Sequence, residues 1–227
     1  SSAKEFVDRM IKSGHHAMLE FGTVYLKCKC GYNSPLSKYK SNKYSKYTND
    51  VAYIDETPSD TSITYNHYVV TNYRVLVENN WLDDLKYLCE PTDNHEKRIC
   101  VRFTCSIGIS RELNRHRVDS IAEQSTRYCN FSKDKFGNEI TFIIPSWSNL
   151  KAGNNSDIIN QLNIENKANY DFIIRLLNDE AAYFNMINNG MLPQEARDIL
   201  PLATATVVNH CAFVSDWKHF FDLRDDS

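Results

Sequence analysis

Arg111-Glu112-Leu113-Asn114-Arg115-His116-Arg117-Val118-Asp119-Ser120-Ile121-Ala122-Glu123-Gln124-Ser125-Thr126-Arg127-Tyr128 is the densest polar stretch of this chain, and fold and function are read outward from it. It holds four arginines, one histidine, two glutamates and two serines. Arginine forks match phosphate oxygens two at a time, and serine hydroxyls with turn amides complete a phosphate cradle. Glutamate and glutamine suit the polar edge of a base or ring. A nucleotide is the ligand this chemistry suggests. On charge alone an alternative stands beside it: a solvated helix face with salt bridges through Glu112 and Asp119.

The flanking sequence sets the fold class. Residues 98–107 alternate, with Ile99, Val101, Phe103 and Cys105 on one side, which predicts a strand; 110–117 then reads as a short helix. Further on, 140–144 predicts a strand stopped by Pro145. The longest helical pattern covers 158–189 and is closed by Gly190; 194–199 is a helical turn. Residues 204–214 are β-branched and ambiguous, and Ser215 is placed as the cap of a last helix through Leu223.

Before the quoted stretch, Ser2-Ala3-Lys4-Glu5 fits a capping box for a helix with Phe6, Val7, Met10 and Ile11 on one face and Gly14 as its stop. Residues 22–28 predict a strand, 66–80 a helix on Val69, Tyr73, Leu76 and Val77, and 82–89 a shorter helix ended by Pro91. Residues 34–61 read as a solvated insertion loop. Its Lys38, Lys40, Lys43 and Lys46, interleaved with Tyr39, Tyr44 and Tyr47, also suit single-stranded nucleic acid. Strands and helices mix without regular βαβ alternation, so the expected fold is α+β, mainly antiparallel sheet flanked by helices.

The 227 residues suit a single domain, 1–227. A net charge of -3 argues against a dedicated nucleic-acid binder. No run of about 18 apolar residues marks a membrane span, and residues 1–14 lack the apolar core of a signal peptide. Seven scattered cysteines read as reduced thiols in a cytoplasm. Cys28-Lys29-Cys30 has no second pair to complete a zinc site, so no metal is expected.

Arg115-His116-Arg117, followed by Ser125-Thr126-Arg127, resembles the signature of the flavin-dependent thymidylate synthases, the ThyX family. Ser13-Gly14-His15, with Glu20 after it, resembles that family's Gly-His segment. Ala196-Arg197-Asp198-Ile199-Leu200-Pro201 is similar to its Ala-Arg-x-x-Leu-Pro, and His219-Phe220-Phe221-Asp222-Leu223-Arg224 to its closing motif. These motifs fall in the family's order along nearly the whole chain. The resemblance leaves room for family segments on either side, before Ser1 and after Ser227.

The resemblance implies methylation of dUMP to dTMP, with methylenetetrahydrofolate as carbon donor, NADPH as reductant, FAD as the flavin, and no cysteine nucleophile. The implied dUMP set is Glu112, Arg115, Glu123, Gln124, Ser125, Thr126, Arg127, Arg197 and Arg224. Within it Arg127 sits on the phosphate, Arg197 arrives from a neighbouring subunit, and Arg224 is the catalytic residue that polarises the uracil ring. The implied FAD set is His15, Arg115, His116, Arg117, Glu123, Ser215 and His219. The implied assembly is a homotetramer with no nucleic-acid or membrane partner. Four positions depart from the family pattern: Ala17 stands for Ser or Thr, Phe213 for Asn, Thr126 for Gly, and Glu112 for Gln. A catalytically impaired homologue that still binds dUMP and flavin is the alternative these departures raise, and a nucleic-acid-binding module a further one. His67, His95 and His210 match nothing and read as ordinary.

Overall fold

The computed structural model describes residues 3–57, 60–127, 129–133 and 137–225; Ser2 of the expected capping box and Tyr128 lie outside them. Helices and sheets alternate irregularly along the chain, the α+β class the sequence predicts. By internal contacts the chain divides into two compact units. One comprises Ser1–Val101, His116–Ala122 and His210–Ser227, the other Arg102–Arg115 and Glu123–Asn209.

The first unit opens with helix α1 (Ala3–Lys12). It stops where Gly14 takes φ +69° and the Gly14 and His15 amides donate back to the Ile11 and Met10 carbonyls. A three-stranded sheet follows, with strands β1 (Thr23–Cys30), β2 (Lys46–Thr57) and β3 (Asp60–Asn72) in the order β1-β3-β2. Both pairings are antiparallel, from Thr23 opposite Asn72 to Cys30 opposite Tyr65, and from Lys46 opposite Val70 to Thr57 opposite Asp60.

Two expectations fail here. Residues 66–80 are not one helix: β3 runs to Asn72 and only Tyr73–Glu78 is helical (α2), capped by Asn72 Oδ1 accepting from the Val75 amide. Nor is 34–61 a solvated loop. Pro35–Ser41 forms a 3-10 helix whose Tyr39 is fully buried, and β2 follows it. The Tyr39 hydroxyl donates to Asp84 at 2.8 Å, and Lys38 pairs with the same carboxylate at 2.7 Å. Burial, then Asp84, push the Tyr39 phenol far up, so it stays a neutral donor. Leu26, Leu36, Val69, Val75 and Leu76 pack around it as the core of this unit.

Strand β4 (Arg98–Ser106) leads into α3 (Ile107–Leu113), capped by Ser106 Oγ. The helix ends at Leu113, so Arg115, His116 and Arg117 lie in the turn beyond it rather than on a helix face. Strands β4, β5 (Ser120–Glu123) and β6 (Ala205–Phe213) form a second sheet, in the order β4-β6-β5. Residues 204–214, ambiguous by composition, are therefore largely strand. The expected strand at 140–144 reduces to a single bridge between Phe142 and Thr204.

In the second unit the pattern at 158–189 resolves into two helices, α4 (Asn155–Gln161) and α5 (Lys167–Asn188). Helix α4 starts on a complete capping box from Asn154 and Asp157. Ile158, Ile173 and Leu176 join the two helices, and Tyr183 packs with Phe131, Ile140 and Ala196 of the short α6 (Pro193–Ala196). A one-turn 3-10 helix, Arg197–Ile199, follows.

Helix α7 (Val214–Arg224) closes the described chain. Ser215 does not cap it. Phe213 is the N-cap, without a side-chain bond; Glu96 accepts from the Ser215 amide, and Lys46 donates to Ser215 Oγ. Cys100 and Cys211 face each other as a disulfide, against the expectation of reduced thiols throughout; Cys28, Cys30, Cys89, Cys105 and Cys129 are free. No described helix is long and apolar enough to cross a membrane.

Candidate functional site

Each unit holds its own share of the predicted residues. In the second unit the organising group is Glu123, at the end of β5. Its Oε1 accepts from Ser110 Oγ at 2.6 Å and its Oε2 from Asn114 Nδ2 at 2.9 Å. Ser110 is fully buried on α3, and its face of the helix, one turn from Ile107 and beside Arg111, follows from the i, i+3, i+4 spacing. The Gln124 amide continues the register by donating to Val207 O, and the Arg127 amide donates to Ser125 Oγ, which tightens the turn after it.

These residues border a cleft of about 620 Å³ lined by Ile107, Ser110, Arg111, Glu123, Gln124, Ser125, Thr126, Arg197, Asp198, Leu200 and Leu202. That volume is in the range of small-molecule sites. The lining combines two guanidinium groups, three hydroxyls, two carboxylates and an apolar floor, which suits a ligand with an anionic end and a flat polar ring. Five predicted residues meet here: Glu123, Gln124, Ser125, Thr126 and Arg197. Arg197 borders this cleft within the single chain. Ser110, Arg111 and Asp198 were not predicted. Glu112, Arg115 and Arg127 do not line the cleft. Glu112 and Arg115 pair with each other at 3.7 Å on the exposed surface, and Arg127 is exposed. Burial, then the Glu123 carboxylate, push the nearby Cys105 thiol up, which disfavours a thiolate nucleophile there.

The first unit holds the other residues. His116 lies against Phe220 of α7, ring centres 4.6 Å apart, and its Nε2 accepts from Arg224 Nε at 3.4 Å. Burial first, then the Arg224 charge, lower the His116 pKa, so the ring is held neutral as that acceptor requires. Arg117, His219 and Arg224 are exposed. His116 of the motif turn and Arg224 of α7 therefore meet, while Arg117 and His219 are exposed on the same two segments. Ser215 is engaged by Lys46.

His15 stands apart, on the turn after α1. It borders a shallow cavity with His16, Ala17, Arg74 and Glu78. There Arg74 bridges Glu78 and Glu20, at 2.8 and 2.5 Å. Phe213 is buried, with the Lys46 ammonium over its ring. His67 and His95 are buried, bonded to Tyr47 and to Leu26 O. Cys28 and Cys30 place their sulfurs 3.6 Å apart, and among the described residues no three His, Cys, Asp or Glu side chains gather to hold a metal.

Two comparisons with known proteins bear on these clusters. Residues 96–227 match the family model described as thymidylate synthase complementing protein. A flavin-dependent thymidylate synthase from Pyrococcus furiosus is 29% identical over 121 residues, an alignment that covers 53% of this chain and 43% of that protein. The chain thus spans less than half the length of the curated relative it matches. The family match takes in the motif turn, the cleft residues and all of α7: this chain belongs to the thymidylate synthase complementing protein family.

Proposed function

We propose that this chain is a flavin-dependent thymidylate synthase that methylates dUMP to dTMP, with FAD as its flavin, NADPH as reductant and methylenetetrahydrofolate as carbon donor. The single observation that carries the proposal is the cleft in which Ser125, Thr126, Arg111 and Arg197 face Glu123 and Gln124. It offers a dUMP-sized ligand guanidinium and hydroxyl donors for the phosphate, and amide and carboxylate groups for the uracil edge. In the first unit, His116, Arg117, His219 and Arg224 form a donor-rich set that fits the anionic diphosphate and ring carbonyls of FAD. When bound, FAD supplies hydride transfer. The chain's residues bind and orient: Glu123 holds Ser110 and Asn114, and neutral His116 holds Arg224, the catalytic arginine of this reading.

A homotetramer in the cytoplasm is part of the same proposal. The Lys/Tyr segment supports the absence of a nucleic-acid role, since Tyr39 is core and Lys38 is paired to Asp84. The catalytically impaired homologue keeps one observation in its favour: Phe213 is buried and offers no hydrogen-bonding group. Release of tritium from dUMP labelled at C5, dependent on FAD, NADPH and the folate together, is the expected result. Flavin binding without release would establish the impaired homologue instead, and no retained flavin at saturating FAD would sink both.

A further inference from the structure

The motif turn ends at Asp119, and the group that holds that end belongs to none of the motifs. Asp119 Oδ2 lies 2.6 Å from His210 Nε2 on β6, with the two side chains 4% and 0% exposed. His210 in turn sits 4.9 Å from the Trp217 ring, 5.8 Å from Phe220 and 6.3 Å from His116. His116 lies on Phe220 and accepts from Arg224. The Asp119 amide donates to the His116 carbonyl, which closes the turn. Charged groups around the pair are Arg98, bonded to Ser120 Oγ, and Asp216; both sense the Asp119 charge.

We propose that His210 and Asp119 form a positioning pair that sets the 116–119 turn and, through Phe220 and His116, the orientation of Arg224, without touching any ligand. The inference rests on the flavin-synthase proposal only for what the turn and Arg224 bind. An imidazole and a carboxylate taken out of water together are costly, and the cost is offset only when their geometry is fixed. An apolar pair would fill this space without tying the turn to β6. Outer partners that orient ligating side chains commonly matter by about 10- to 100-fold in affinity or activity, and the same range is expected here.

The test uses the full chain with His210→Leu, His210→Gln and Asp119→Asn. Glutamine keeps an N–H donor for Asp119; leucine removes it. Amide hydrogen exchange, measured without ligand, is expected to speed at residues 116–119 in His210→Leu while β1 and β3 keep their protection. With FAD, His210→Leu is expected to bind about 10- to 100-fold more weakly and to shift the visible spectrum of bound flavin. His210→Gln is expected to recover most of both losses. Where His210→Leu does not fold, Asp119→Asn carries the same measurements. Unchanged exchange at 116–119 in a folded variant overturns the proposal, as does glutamine behaving no better than leucine. A wild-type chain that binds no FAD overturns the synthase proposal instead, and the exchange measurement still decides this one.

Discussion

Arg197→Ala tests what the cleft is for. Arg197 is 37% exposed, and its nearest carboxylate, Asp198, lies 3.9 Å away and is itself 82% exposed. That pair is worth little in water, so the guanidinium is available to an anion. Two unit charges about 4 Å apart at an effective dielectric of about 20 interact by about 4 kcal/mol. Partial exposure screens this towards the roughly 1.5–3 kcal/mol of a charge-assisted hydrogen bond. Taking about 2 kcal/mol, dUMP should bind about 30-fold more weakly to Arg197→Ala. Deoxyuridine lacks the phosphate and should lose almost nothing. Titration calorimetry of wild type and variant against both ligands closes a thermodynamic cycle in which the interaction energy belongs to the phosphate. Arg197→Lys keeps the charge without the fork and should fall between. Equal losses for dUMP and deoxyuridine would refute the assignment, because Arg197 would then be reading the nucleoside or holding the cleft open.

Glu123→Ala removes both carboxylate bonds and leaves Ser110, fully buried, with only Ile107 O as partner; dUMP affinity should fall roughly tenfold, about 1.4 kcal/mol, and an unchanged affinity by calorimetry would remove Glu123 from the site. His116 and His95 both have pKa values lowered from 6.5, chiefly by burial, so the unfolded chain takes up their protons first as pH falls. Their contribution to stability is complete above 6.5 and is lost as pH drops through the lowered folded values; urea midpoints should decrease on acidification, and a rise would contradict this. Asn72→Ala deprives α2 of its cap at the Val75 amide and should cost about 1 kcal/mol in urea unfolding. Alkylation of the unreduced, denatured chain should label the five free cysteines and leave Cys100 and Cys211 until reduction, as mass spectrometry would show.

Where the sequence misled about fold, the cause is burial on both faces. Strand β3 is the middle strand of its sheet, and His67 to Asn72 are all buried. A strand covered on both sides loses its alternation and becomes a continuous run. Tyr73, Leu76 and Val77 then supplied a helical spacing that belongs only to α2. The boundary signal was Asn72, a cap residue in the middle of the apparent helix. In β2 the register shifts between Val51 and Tyr53, so apolar residues on either side of the shift fall out of step. Composition there resembled a loop because lysines lie beside tyrosines. Many of those lysines cover aromatic rings, as Lys40 does over Tyr47 and Lys43 over Tyr44.

The site was legible to the extent that its chemistry is local. Glu123 to Thr126 are consecutive, and a motif marks Arg197. Arg111 and Ser110 were in view, but only the helix turn that ends at Leu113 shows that they share a face with Ile107. Which arginines serve a ligand depends on what each one already binds, and that is a tertiary property. Arg74 uses its donors on Glu20 and Glu78, Arg175 on Asp179, and Arg98 on Thr23 and Ser120. Among the described residues, Arg197 has only a long, exposed ion-pair neighbour in Asp198. Spacing could not separate these four. His210 was harder still, because its partner lies 91 residues away and neither belongs to a motif. A buried carboxylate facing a buried imidazole is invisible in either stretch of sequence alone. It is the kind of contact that can tune a motif turn without changing any motif residue.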